Sequence, residues 1–166
     1  MKIKRKFFNR NTVTVAKELL GKYLCRQING RIIKVKITET EAYCGVNDKA
    51  CHASRGLTPR TKIMFGSPGY AYVYLIYGMY YCLNFVTEET GNPSAVLIRG
   101  IEGIRGPGKL CRELKIDKSL NKVDICQSRE LWVEDSGEKV GSIKKGKRIG
   151  VDYAGKWKNK LWRFWI

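Results

Sequence analysis

The chain has 166 residues, 43% hydrophobic and 28% charged, a profile that fits one folded domain and excludes both a disordered segment and two ordinary domains. No apolar run approaches a bilayer span, and the basic start MKIKRKFFNR has no apolar stretch behind it, so neither a membrane segment nor a secretory leader is expected and the cytoplasm is the default compartment. Thirty-two basic against fifteen acidic residues leave a net charge of +17, an excess that a polyanion would relieve.

Membrane binding would require a basic amphipathic helix, and none is long enough, so nucleic acid is the expected polyanion. A merely basic protein, ribosome-associated or lysine-rich for thermal stability, is the alternative. The six cysteines, Cys25, Cys44, Cys51, Cys82, Cys111 and Cys126, are irregularly spaced with no C-x-x-C pair. The one local cluster, Cys44, Cys51 and His52, lacks the spacing of a structural zinc site. Buried thiols are expected, with no metal, no cofactor and no disulfide framework.

In chain order, Asn11-Thr12 caps a helix expected from Thr12 to Leu20, with Val15, Leu19 and Leu20 on one face and Gly21 to end it. Asn29-Gly30 is a two-residue turn signal joining Leu24–Gln27 to Arg31–Tyr43 as a hairpin. The second arm alternates: Ile33, Val35 and Ile37 on one side, Lys34, Lys36 and Thr38 on the other. Continued, that alternation puts Glu39, Glu41 and Tyr43 on the apolar side. Burying an unpaired carboxylate is costly, so two inward carboxylates mark a candidate site. The plainer alternative is that the strand leaves the core at Thr38 and both glutamates lie in water or in ion pairs.

The long loop CGVNDKACHASRGLTPRTK follows, holding the single histidine, His52, with Arg55, Arg60 and Lys62 close by. Six of the nine tyrosines then fall between Tyr70 and Tyr81. Tyr70, Tyr72 and Tyr74 alternate as in a strand, Leu83, Phe85 and Val86 close a second strand, and Tyr77-Gly78-Met79 reads as the turn between them. A bulky aromatic at an exposed turn has no packing role, and in a polycation it is a candidate for stacking on bases or wedging between them. Ala95–Arg99 is a short buried strand ending in Arg99, and Lys109–Leu114 a short helix. Leu120–Ser128 has no clear pattern. Leu131–Val133, Arg148–Tyr153 and the terminal LWRFWI read as strands, and Lys144, Lys145, Lys147 and Arg148 form a basic run that is either a solvated loop or a phosphate contact.

Chemistry on a base inside a duplex requires the base to leave the stack, a filler for the gap, aromatic walls and a group that acts on the sugar–base bond. The inventory supplies each of these but does not choose hydrolysis over deamination. The lack of a His plus C-x-x-C pattern argues against a zinc deaminase. A non-catalytic basic and aromatic nucleic-acid-binding module is the competing reading.

The motifs ETEAY (Glu39–Tyr43), HASRGLTPR (His52–Arg60), Met64-Phe65, YVYLIYGM (Tyr72–Met79), CLN (Cys82–Asn84), VLIR (Val96–Arg99), GPGKL (Gly106–Leu110) and RIGV (Arg148–Val151) resemble, in order and spacing, the alkyladenine (methylpurine) DNA glycosylase family. The resemblance implies an α+β single domain: a curved antiparallel β-sheet with a few short helices and a protruding β-hairpin. It implies a monomer that removes alkylated or deaminated purines from duplex DNA by hydrolysis and leaves an abasic site. By motif, Glu41 would be the general base and Arg99 would help hold it and its water. Tyr43 would stack on one face of the flipped base, His52 and Tyr74 on the other, with Tyr72 orienting His52. Asn84 would disfavour guanine at the base edge. Tyr77 would fill the hole in the duplex beside Met79. The backbone contacts expected are Arg55, Arg60, Met64 and Lys109. Glu39 has no catalytic part in this picture. Two departures bear on affinity and substrate range: the segment from Arg99 to Gly106 is very short, and Leu57 stands where a basic residue is expected.

Overall fold

Asn11 starts the first substantial helix. Its side-chain oxygen accepts the Thr14 N–H at 3.2 Å, so α2 runs Thr12–Leu19, after the single turn α1 (Arg5–Phe8). The computed structural model describes residues 1–166. After α2 come β1 (Tyr23–Ile28), β2 (Arg31–Cys44), β3 (Ala71–Ile76), β4 (Tyr80–Thr87), β5 (Ser94–Ile101), β6 (Ile104–Arg105), α3 (Pro107–Glu113), β7 (Leu131–Glu134), β8 (Lys144–Gly146) and β9 (Arg163–Trp165). Single turns of tight helix occupy His52–Arg55, Lys62–Phe65 and Lys118–Leu120. No helix is long and apolar enough to cross a membrane.

The strands form one curled antiparallel sheet in the order β3-β4-β5-β2-β1-β7, with β6 on β5 and β9 bridging β2 and β8. The fourteen-residue β2 is its spine. Its first half pairs with β1 through the Asn29-Gly30 turn, and its second half pairs with β5. The helices cover one face. Val15, Ala16 and Leu19 of α2, Leu110 of α3 and Leu114 just past its end pack there with Ile37, Ala42, Val73, Leu83, Phe85, Val96, Ile98 and Phe164. This is the α+β fold expected from the sequence. The segment after Arg99 closes as a tight hairpin, Ile101 opposite Ile104.

Two expectations fail. The alternation of β2 does not continue through Glu39. The pairing with β5 slips between Ile37 and Glu39 and again between Glu39 and Thr40. This bulge reverses the faces. Thr40 and Ala42 join Ile37 against the helices, where Thr40 Oγ1 donates to Ala16 O at 2.8 Å, while Glu39, Glu41 and Tyr43 turn to the opposite face. The carboxylates are inward, as expected, but not on the side of Ile33, Val35 and Ile37. Second, Arg148–Tyr153 is no strand. Gly150 adopts φ +75°, which breaks the extended run, and two tight helical turns spanning Asp152–Asn159 begin at once.

Thr40 therefore belongs to the helix-facing side. Thr40→Val removes the donor to the buried Ala16 carbonyl and is expected to cost about 1–3 kcal/mol, read as a lower denaturant midpoint with an unchanged slope.

Candidate active site

Glu41 sits on the face left free by the helices and is 0% exposed. Its partners come from three parts of the chain. Tyr43, two residues on along the same strand, donates its hydroxyl to Oε2 at 2.7 Å. The Ile149 amide, from the segment before the last turns, donates to Oε1 at 2.8 Å. Arg99 Nε, from β5, lies 3.8 Å from Oε1. Burial pushes the Glu41 pKa up, while Arg99, the Ile149 amide and the Tyr43 hydroxyl pull the other way. The result is a dry carboxylate held by groups that stabilise its ionised form.

Arg99 is shared. Its Nε donates to Glu39 Oε1 at 3.2 Å, and Arg163 of β9 donates to the same oxygen at 3.2 Å. Glu39 thus anchors the arginine that faces Glu41, a part the sequence reading did not give it. A cleft of about 1060 Å³ opens beside this network, lined by Glu39, Arg99, Arg105, Lys109, Ile149 and Arg163 among others, with an excess of positive side chains.

The aromatic residues follow from strand alternation. Ala71 and Val73 face the core, so Tyr72 and Tyr74 face the site. Tyr72 and Asn84 are register partners on β3 and β4, and the Asn84 amide donates to Tyr72 O at 3.2 Å. The Tyr72 hydroxyl lies 2.8 Å from His52 Nδ1. The His52 ring is 4.6 Å from that of Tyr74, centroid to centroid, and the Arg60 guanidinium is 5.1 Å from the Tyr74 ring. Tyr43 packs at the edge of the same small cluster of Cys51, Ala53, Met64, Tyr72, Val86 and Ala95. The fold therefore brings Glu41, Tyr43, His52, Tyr72, Tyr74, Asn84 and Arg99 to one face.

The hairpin of β3 and β4 projects its tip into solvent. Tyr77 (φ 51°) and Gly78 (φ 65°) both adopt the left-handed conformation that a tight hairpin turn needs, and Met79 N–H closes it on Ile76 O at 3.1 Å. Tyr77 is 87% exposed and Met79 65%. Arg55, Arg60 and Lys109 are also at the surface.

Met64 departs from its expected place. The residue is 2% exposed, clustered with Tyr72, and its N–H is bonded to Thr61 O, so it packs in the small cluster behind the site rather than making a backbone contact. Arg148 departs too. It is not part of a surface run but is buried, paired with Asp48 through both its terminal nitrogens. Asp48, Arg148, Ile149 and Arg163 were missed because their parts depend on contacts about 100 residues apart in sequence. The one signal in the sequence is the RIGV motif, whose alternation looks like a strand.

Burial, with Arg60 and Arg55 nearby, lowers the His52 pKa to about 4. The imidazole is neutral at physiological pH. Since the unfolded chain takes up that proton near the ordinary value of about 6.5, stability falls as the pH drops from there through the folded value. As the single histidine, His52 gives one ring signal by NMR, expected to show no titration between about pH 5.5 and 8. A midpoint near the ordinary value would contradict this burial.

Comparison with known proteins shows the family. The family model described as Methylpurine-DNA glycosylase (MPG) matches residues 6–105 and 103–166, its two segments meeting at the β5–β6 turn. A protein of Methanocella arvoryzae is 51% identical over 181 aligned positions, covering 97% of this chain and 90% of its own length. One from Legionella pneumophila (strain Corby) is 50% identical, covering 99% and 94%, and one from Desulfitobacterium hafniense (strain Y51) 45%, covering 98% and 93%. All three bear the name "Putative 3-methyladenine DNA glycosylase". With the match running nearly end to end, this chain is a DNA glycosylase and belongs to the methylpurine-DNA glycosylase family.

Proposed function

We propose that this glycosylase hydrolyses the N-glycosidic bond of alkylated or deaminated purines flipped out of duplex DNA, using a water activated by Glu41. The observation that carries this reading is the buried Glu41 carboxylate. Donors meet both its oxygens, and it lies beside a cluster of aromatic rings. In its ionised form, away from bulk water, it can accept a proton from water attacking the sugar carbon, while Arg99 holds carboxylate and water in place. It also stabilises the positive charge that develops on the sugar.

The flipped base lies between Tyr43 on one side and His52 and Tyr74 on the other, with Tyr72 fixing the His52 ring. An alkylated purine is cationic and leaves readily. Aromatic walls favour it by a cation–π term of ~1–2 kcal/mol once desolvated. A neutral His52 adds no charge repulsion against such a base. Asn84, at the edge of the pocket, disfavours guanine through its exocyclic amine. Tyr77 occupies the gap in the duplex with Met79 beside it, and Arg55, Arg60 and Lys109 hold phosphates.

A panel of duplexes carrying hypoxanthine, ethenoadenine or a methylated purine, each treated with alkali after incubation, tests the reaction. Strand scission that appears only with alkali is expected, marking hydrolysis to an abasic site. Binding without any scission would leave the fold as a non-catalytic reader of nucleic acid. Glu41→Gln is expected to keep lesion binding and lose excision by a factor of ~10²–10⁴, and normal turnover would remove Glu41 from the mechanism. Tyr77→Ser is expected to lose the fluorescence rise of a 2-aminopurine beside the lesion, and an unchanged rise would remove the wedge.

A further inference from the structure

Arg148 does not face the proposed base slot, yet it is built into the support of Glu41. Its side chain is 0% exposed. Nη1 donates to Ala42 O at 2.9 Å and to Asp48 Oδ2 at 2.6 Å; Nη2 donates to Asp48 Oδ1 at 2.9 Å and to Trp157 O at 3.2 Å. Asp48 in turn accepts the amides of Cys44 and Ala50. One side chain thus joins the end of β2, the loop after it and the turns before β9.

Both hydrogen bonds to Glu41 come from groups that this side chain holds. The first donor is the amide of Ile149, the very next residue. The second is the hydroxyl of Tyr43, whose ring centroid lies 4.8 Å from the guanidinium carbon. Arg99 approaches Glu41 independently, from β5.

A buried ion pair adds little net stability over an apolar pair of the same volume, so stability alone is a weak reason for building one. Geometry is a better reason. A planar fork can meet a carboxylate edge-on, reach two carbonyls and lie flat against a ring at once, which a lysine ammonium cannot.

We infer that Arg148 is a positioning residue: its buried pair with Asp48 sets the Ile149 amide and the Tyr43 ring, and through them the Glu41 carboxylate. The inference rests on the proposed role of Glu41 as general base. The charged and titratable groups around Glu41 are Glu39 and Tyr43 on its own strand, Arg99 on β5, Cys82 on β4, Arg163 of β9 acting through Glu39, and Arg148 itself. Of these, the Tyr43 and Ile149 bonds depend on the clamp, while the charge of Arg148 also favours the ionised carboxylate directly.

Both bonds favour the ionised carboxylate, so loosening them raises its pKa. Because the ionised form is the base, the acid limb of the excision rate then moves to higher pH. The test is single-turnover excision against pH for Arg148→Lys and for the double variant Arg148→Met with Asp48→Asn, which leaves no buried charge unpaired. Both are expected to move the acid limb up by about one unit and to bind abasic-analogue duplex within about threefold of wild type. The limb is read from whatever fraction is folded, since misfolding lowers amplitude at every pH and moves no midpoint. Arg148→Lys decides, because it keeps the charge and loses the planar fork: a limb at the wild-type position in that variant overturns the proposal, even if rates fall uniformly or the double variant moves. Glu41→Gln run alongside separates the two readings. If it turns over normally, the general base itself is misassigned. If it is inactive and the limb is unmoved, Arg148 alone is.

Discussion

A carboxylate with no access to water constrains most of this architecture. Removing an ionised glutamate from solvent is costly unless hydrogen bonds and an opposite charge replace its hydration. Here the replacements are a phenol from the same strand, an amide from near the C-terminal end and a guanidinium from β5. Each has to arrive within hydrogen-bond or ion-pair range, so strands and loops far apart in sequence must close on one point. The curled sheet provides the closure. β2 carries the carboxylate, β5 brings Arg99 alongside it, and β9 adds Arg163 to hold Glu39, which in turn holds Arg99.

The bulge in β2 divides the labour between the two faces. Before it, Ile37 faces the helices; after it, Thr40 and Ala42 do, so the intervening slip turns the glutamates away from the main core. Without that slip the carboxylates would enter the apolar layer between sheet and helices, where nothing could pair with them. With it they meet the tyrosines of β3, which alternation aims at the same face. The sheet therefore has one apolar face for stability and one polar and aromatic face for chemistry. A small second cluster containing Met64 and Cys51 supports the aromatic residues from beneath.

Charge is divided in the same way. The buried cations, Arg148 and to a large extent Arg99, are committed to carboxylates, and they organise the site. Most of the rest of the +17 excess lies on the surface, with Arg55, Arg60 and Lys109 among the exposed cations. The site itself presents a neutral imidazole and phenol rings.

Much of this was readable from local pattern. The Asn11 cap, the Asn29-Gly30 turn, the alternating tyrosines and the exposed turn at Tyr77 are short-range signals, and each produced the element it announced. The candidate residues Glu41, Tyr43, His52 and Arg99 are also legible in the sequence, because a period of two in one strand and a family resemblance across several both survive in one dimension. What could not be read was which face of β2 carries the glutamates, because a bulge is set by the pairing partner and leaves no mark in a single strand. Nor could Met64 be known to be buried, or the RIGV segment to be a clamp rather than a strand. The Arg148–Asp48 pair and the Ile149–Glu41 bond join residues about 100 positions apart, and the energy of such contacts exists only once the chain has folded back on itself.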